Sequence, residues 1–402
     1  MGRRAFALLL VHCTLFQAVT FVLRPTATYR ALELDVPAGW VGVLAATFAV
    51  VPLIVAVPSG NLVDRYGERS VMFAGSLLLS AAGCAFVLIG RSVAGIVVAT
   101  ALLGVAHLCC AVSQQALVAN RTPSARYDNA FGRYTFAVSL GQALGPGLIV
   151  LFGGNRPIPD TASIFIGATL LTAPLFLLSI PLKPSSYRLT RHDAGGALQL
   201  LRRPGLAPAI VVSSALMAAI DISLAYLPAL GAQRGIASGV VGVLLALRAL
   251  SSMVARLFLG PLARAVGRRR LLLTTMAFSA AGLGGLALPL PTVALGVLIL
   301  IAGVGLGAGQ PLTMSWLAES TSPGLRGRAM SLRLTGNRLG QVLIPSVAGL
   351  VAAATGAAGV FAVTAGSVAA AMLAGRVLRL PTAVERSDAA AQPLPAVPGS
   401  KD

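Results

Sequence analysis

Apolar runs long enough to cross a bilayer recur along nearly the whole of this 402-residue chain. A membrane-spanning helix needs about 20 mainly apolar residues. Such runs lie near residues 5–24, 39–58, 71–90, 93–117, 131–152 and 161–182. After one long polar stretch they resume near 208–230, 238–259, 271–288, 292–316, 331–353 and 358–379. Charged residues make up 11% of the chain, against roughly 25% in a soluble globular protein, too few to cover a water-facing surface. With no water to satisfy the backbone, each run must be a helix. The fold class that follows is all-α, a polytopic membrane protein of twelve transmembrane helices. The polar stretch 183–207 divides it into an N-terminal six-helix bundle (1–182) and a C-terminal one (208–380), and 381–402 reads as a disordered cytoplasmic tail.

The 31 Lys and Arg against 12 Asp and Glu give a net charge of +19. In a soluble protein that balance would suggest nucleic acid. Here the basic residues fall in short clusters between apolar runs, without a basic face or an aromatic platform, so nucleic acid is excluded as a partner. The pattern is the positive-inside bias. With the N-terminus inside, 23 basic residues lie on the cytoplasmic side and five outside, the five being Arg24, Arg30, Arg91, Arg156 and Arg234. Both termini are therefore expected in the cytoplasm, and the protein in the cytoplasmic membrane. Met1-Gly2-Arg3-Arg4 precedes an apolar run with no small-x-small cleavage pattern, and reads as entry into the first span. Cys13, Cys84, Cys109 and Cys110 lie in apolar runs without metal-ligand spacing and read as small hydrophobes.

The two halves are related by a fixed offset. Gly60, Leu62, Gly67 and Arg69 recur 200 residues later as Gly260, Leu262, Gly267 and Arg269, and Pro123, Arg126 and Arg133 recur as Pro323, Arg326 and Arg333. With one residue of slip, Gly141, Gln142 and Pro146 recur as Gly340, Gln341 and Pro345. Chance likeness between apolar helices would not keep polar loop positions at one spacing, so the halves are a duplication. Two six-helix halves repeated in parallel are an architecture of secondary transporters, with the substrate site between them near mid-membrane.

Residues 60–69 carry a Gly-x-Leu-x-Asp-Arg-x-Gly-x-Arg pattern, filled by Gly60, Leu62, Asp64, Arg65, Gly67 and Arg69. On this pattern the chain resembles the major facilitator superfamily over nearly its whole length. The resemblance implies two pseudo-symmetric six-helix bundles, and a loop between spans 2 and 3 that steadies one conformational state. Its Asp64 would sit at a helix N-terminus of the other half, where the dipole favours an anion. In the second copy Arg264 replaces the Asp, so that latch is expected once. Gly141, Gly145 and Pro146 resemble the family's fifth-helix antiporter motif, with its Gly-Gly pair displaced to Gly153-Gly154. The alternative reading is plain small-residue packing. The fourth span lacks, around Ala101 to Cys110, the arginine of many proton-linked drug exporters.

Ionisable residues at membrane depth are functional candidates by default. Asp221 is the one acid well inside a span, and Arg248 lies at similar depth in the next. The hairpin turning near Arg234 brings them opposite one another as a pair, either a proton-exchanging one or a static fastening. Arg24, beside Pro25 at the end of the first span, either meets an anion at the outer mouth or snorkels to the interface. Gln17, Gln114, Gln142, Gln310 and Gln341, with Gln115, supply neutral hydrogen-bonding capacity for a cavity or for helix packing. Tyr226, Tyr134 and Trp316 are candidates for stacking on a substrate or for interfacial anchoring. Glu319 with Arg333, and Asp128 with Arg126 and Arg133, read as cytoplasmic gate pairs or as solvated charge.

His12, His107 and His192 do not cluster, and no P-loop pattern is present, so neither a cofactor nor direct ATP use is expected. The sequence reads as a transporter and not an enzyme. It is expected to act as a monomer in the lipid bilayer on a small-molecule substrate, exporting a lipophilic compound or metabolite with proton coupling. The alternatives are uptake or facilitated diffusion of a small polar nutrient and, in another class, a non-transporting scaffold or receptor-like protein.

Overall fold

The computed structural model describes residues 3–121, 127–181, 205–320 and 326–376, with side chains throughout except at 38, 56–61, 64, 119–120, 127–129, 315–320 and 326–331. Residues 183–204 of the linker and the tail assigned from the sequence, and the side chains of Asp64, Asp128, Trp316, Glu319, Arg126 and Arg326, lie outside the described residues, whereas the linker's last residues already belong to the helix that starts at Leu206. Among the described residues the chain is helical throughout. The helices are α1 (Arg3–Glu33), α2 (Ala38–Tyr66), α3 (Glu68–Leu88), α4 (Val93–Arg121), α5 (Tyr127–Leu144), α6 (Gly147–Gly153), α7 (Thr161–Leu170) and α8 (Ala173–Ser179). There follow α9 (Leu206–Gln233), α10 (Ser238–Leu257), α11 (Leu259–Val266), α12 (Arg268–Gly285), α13 (Thr292–Ser320) and α14 (Arg326–Arg376).

Nine described segments are by themselves long and apolar enough to cross a membrane. The remaining spans have local reasons for escaping that test. Helix α12 opens on three arginines, Arg268 to Arg270, and α2 has its apolar stretch Gly39–Val55 between residues whose side chains are not described. Helix α14 runs 51 residues, about 76 Å if straight at 1.5 Å per residue, more than twice a ~30 Å hydrocarbon core. It is two spans broken at Gly356, where φ is 69° and ψ −170°. The Gln233 carboxamide accepts from the freed Ala357 amide at 3.0 Å. The fifth span is broken at Pro146 into α5 and α6, the sixth into α7 and α8, and the eighth at Phe258 into α10 and α11. Twelve spans in two pseudo-symmetric six-helix bundles result.

The duplication is visible in the backbone. Gly67 alone joins α2 to α3 at φ 83° and ψ 156°, and Gly267 alone joins α11 to α12 at φ 87° and ψ 142°. Side chains other than hydrogen are all but barred from that region, so each repeat keeps glycine where two spans meet without a loop. Beside them Arg65 stacks over Tyr66, and Arg269 donates to the Arg376 carbonyl at the end of the last helix.

Packing follows the same offset. Gly141 of α5 lies against the Thr14 carbonyl of α1, and Gly340 of α14 lies against Ser214 of α9. Gly104 of α4 meets the Phe48 carbonyl of α2, and Gly303 of α13 meets the Arg248 carbonyl of α10. Small residues at these crossings let backbones touch where lipid supplies no hydrophobic drive to associate. Gly141, Gly145 and Pro146 thus act here as packing and kink residues. A methyl placed on Gly145 would sit 2.5 Å from the Ala18 carbonyl.

At the end of the bundle opposite Gly67 and Gly267, the two halves close on each other through a repeated glycine pair. Gly39 and Gly42 of α2 abut Gly349 and the Pro345 carbonyl of α14, and Gly239 and Gly242 of α10 abut Gly154 and Val150 at the end of α6. Ser238 locks the second contact, its amide donating to the Arg156 carbonyl at 2.7 Å and its hydroxyl to the Gly153 carbonyl at 2.9 Å. On the same side Asp160 caps α7, and the Ser163 hydroxyl and amide hold its carboxyl below the usual carboxylate range.

Gly42→Val is expected to wedge this end open, because even one added carbon meets the Tyr226 hydroxyl at 2.8 Å and the Gly349 backbone at 2.9 Å. A cysteine placed at Ala353 should then react faster with a membrane-impermeant maleimide. An unchanged rate would mean that the glycines do not set the closure.

Candidate functional site

Helix α1 does not stop at Pro25. It continues to Glu33 with Pro25 inside it, as membrane helices tolerate where neighbours satisfy the freed carbonyl. Arg24 is thereby carried about 13 Å in from the helix end at 1.5 Å per residue. Its guanidinium reaches across to the other half and donates to Asp221 of α9 at 2.6 Å, with the two side chains 7% and 4% exposed. The other carboxylate oxygen accepts from Gln341 Nε2 of α14 at 2.7 Å. Gln341 Oε1 in turn accepts from Arg338 at 3.1 Å. The guanidinium carbon of Arg24 lies 4.1 Å from the ring centroid of Phe48 on α2. A carboxylate held by a cation of one half and an amide of the other is thus the polar centre of the molecule.

Further cations surround it. Arg248 of α10 is 2% exposed, with no hydrogen-bond partner for Nε or Nη2, and lies within electrostatic reach of Arg24, Asp221 and Arg256. His107 of α4 packs on Phe16 and Phe48 with centroids 5.1 and 5.4 Å away, its Nδ1 unpartnered, within reach of Arg338 and Arg24. Arg256 clasps the halves, donating to Ser139 of α5 at 2.6 Å and to the Gly307 carbonyl of α13 at 3.1 Å.

Three residues singled out from the sequence therefore meet here: Arg24, Asp221 and Gln341. Two expectations are corrected. Asp221 forms its ion pair with Arg24 of the other half and not with Arg248, its second oxygen being bonded to Gln341. Arg24 is neither at an outer mouth nor snorkelled, because its helix runs on past the proline. Arg338, Arg256 and His107 were missed. The rule that flagged Arg248, an ionisable group at membrane depth, applies equally to both arginines.

Of the other polar candidates, Gln310 and Gln114 make hydrogen bonds between helices. Gln310 binds Ser213 of α9 and accepts from Arg333, and Ser213 donates to Asn337 at 2.8 Å. Arg333 is accordingly buried and bonded to Gln310, where a loop charge facing Glu319 was expected. Gln114 bridges His12 at 2.9 Å and Tyr134 at 3.3 Å, with His12 on Ser76 at 3.0 Å. Tyr226 sets its hydroxyl against Gly42 in the closed end. Gln17 is buried beside Gly141 with Oε1 unpartnered, and Gln142 is half-buried. Among the loop residues, Leu62, Arg65, Arg69, Gly260 and Arg269 are exposed, and Gly60 lies outside the described side chains.

An apolar groove of about 770 Å³ does not open on this centre. It runs between α1 and α5 past Val11, Leu15 and Phe136 to Leu257, on a face of α1 turned away from Arg24 by the 100° step per residue.

A profile of the Major Facilitator Superfamily matches residues 8–237 and 209–400. Multidrug resistance protein MdtG of Escherichia coli (strain K12 / DH10B) is 25% identical over 343 residues, 82% of this chain and 82% of that one. Among solved structures, the nucleoside transporter NupG superposes with a TM-score of 0.76 at 14% identity, covering 93% of this chain and 98% of that one. A D-xylose–proton symporter gives 0.76 at 14% identity, covering 93% and 97%. At those identities the two structures establish the fold alone.

Removing one member of a buried ion pair strands the other charge, at a cost of about 3–5 kcal/mol. Asp221→Ala is expected to lose stability on that scale, whereas Arg24→Gln with Asp221→Asn should lose less than the sum of the two single changes. Thermal unfolding in detergent micelles checks this, and strictly additive losses would mean that the two side chains do not interact.

Proposed function

Because the chain belongs to the Major Facilitator Superfamily, we propose that it is a secondary transporter that exports a small lipophilic compound or metabolite across the cytoplasmic membrane by alternating access, coupled to protons. The observation that carries this reading is the Arg24–Asp221 contact, which joins the halves at the depth where such proteins hold their substrate. An ionised pair there is costly in lipid, and a static bundle would have no need of it between halves that already meet through glycine. The likeness to MdtG, a multidrug resistance protein, favours export over nutrient uptake.

In this reading the bundles 1–182 and 208–380 rock as units about the central polar cluster, with the 183–207 linker and both termini in the cytoplasm. The face bearing Arg65, Arg69, Arg268, Arg269 and Arg270 is the cytoplasmic one, so the glycine-sealed end faces outward. Asp221 is the proton carrier: when protonated it releases Arg24, and when ionised it recaptures it. The protein acts as a monomer.

Substrates would be found by comparing growth inhibition across many compounds in cells with and without the protein. In proteoliposomes, the wild-type protein is expected to catalyse counterflow of such a compound and to accumulate it when a pH gradient is imposed. Asp221→Asn should keep counterflow but lose the response to the gradient. An intact gradient response in that variant would remove Asp221 as the carrier, and absence of counterflow by the wild type would remove the transport reading.

A further inference from the structure

We propose that the molecule handled at this centre bears an acid group on an apolar body, and that the acid group binds between Arg248 and Arg338 in competition with Asp221. The inference rests on the transport reading above and specifies its substrate class. It begins with charge. Arg24, Arg248, Arg256, Arg333 and Arg338 all lie within spans, while Asp221 is the one described carboxylate at that depth. Arginine does not deprotonate in proteins, so these charges cannot be relieved by losing protons. Something anionic must share the site with them.

The five guanidinium groups are not equally committed. Arg256 is bonded to Ser139 and Gly307, Arg333 to Gln310 through Nη2 with its Nε unpartnered, and Arg24 to Asp221. Arg248 has Nε and Nη2 free of any hydrogen bond at 2% exposure, and Arg338 makes its one described hydrogen bond to Gln341, from Nη1. A guanidinium offers five donors in a fixed fork that matches a carboxylate or a phosphate. Both arginines with spare forks are in electrostatic reach of Asp221. The unpartnered Nδ1 of His107 adds a neutral donor in the same surroundings. Phe48 and Phe16, which pack on His107, supply apolar surroundings beside these donors. Asp221 is then a resident carboxylate, occupying Arg24 until an arriving anion or a proton loosens it.

The test uses two fluorophores that differ only by a sulfonate: 8-anilinonaphthalene-1-sulfonate and its neutral parent, N-phenyl-1-naphthylamine. Each is titrated into the full-length protein in zwitterionic nanodiscs, against empty discs. The sulfonate is expected to bind saturably and about tenfold more tightly than the neutral parent, the scale of one charge-assisted hydrogen bond. Arg248→Gln and Arg338→Gln should each weaken the sulfonate by about that factor and leave the neutral parent unchanged, while Arg248→Lys restores part of the loss. Asp221→Asn should tighten the sulfonate. Equal binding of the two fluorophores, or sulfonate binding indifferent to both glutamine variants, overturns the proposal. Unaltered binding of the neutral parent shows that the variants are folded.

Repeating the titration in discs containing phosphatidylglycerol separates the two sources of such an acid group. Retained sulfonate binding assigns the site to a soluble anion, and displacement by the lipid assigns it to a lipid headgroup. Sulfonate that binds but is not carried in proteoliposomes would refute transport and leave the anion site standing. Transport of neutral compounds alone would do the reverse.

Discussion

A carboxylate taken into hydrocarbon must find a cation or give up its charge, and in this protein the nearest cation belongs to the other half of the chain. The contact of Asp221 with Arg24 at 2.6 Å therefore makes one electrostatic unit out of two bundles that otherwise meet through glycine contacts and the hydrogen bonds of Ser238 and Arg256. The site rests on this pairing. Gln341 orients the free oxygen of Asp221, Arg338 orients Gln341, and Phe48 supports Arg24 from beneath. Of these contacts only Arg24–Asp221 crosses between the halves, so a small relative rotation would act on that pair while the supports of each partner stay within their own bundle.

What holds the bundles is different in kind. Lipid is as apolar as leucine, so helices gain little from burying side chains against one another, and close backbone approach takes over. The glycines at the crossings of α1 with α5, α9 with α14, α2 with α4 and α10 with α13 place carbonyls where side chains would ordinarily stand. Interhelical hydrogen bonds such as those of Gln310 and Gln114 then fix the angular setting within each bundle. Closely packed bundles with a polar seam between them follow from that division of labour.

Much of the fold was legible in the sequence because membrane helices are set by length and hydropathy, and because duplication writes the same loop twice. Gly67 and Gly267 occupy the same rare backbone region, as their shared spacing suggested. The glycine pairs Gly39/Gly42 and Gly239/Gly242 carried the same 200-residue offset and could have been found by the same comparison. The site was less legible. Pro25 looks like a helix end, and only neighbouring helices decide that it is not. The partner of Asp221 lies 197 positions away in the chain, and no local spacing announces a contact between helices that are not consecutive. The roles of Gln114, Gln310 and Gln341 likewise depend on which way each helix is rotated, and an almost wholly apolar sequence hardly records rotation.

The repeat also departs from itself at an informative place. Phe48 and Arg248 stand at equivalent positions, each with its carbonyl against a glycine of the neighbouring helix, yet one presents an aromatic ring and the other a guanidinium. The internal symmetry axis is thus broken at the centre, with an aromatic wall on one side and a cationic one on the other. A molecule of the proposed kind, acidic at one end and apolar at the other, would be polarised there like a compass needle, since end-over-end reversal would bring each of its ends against the wrong wall.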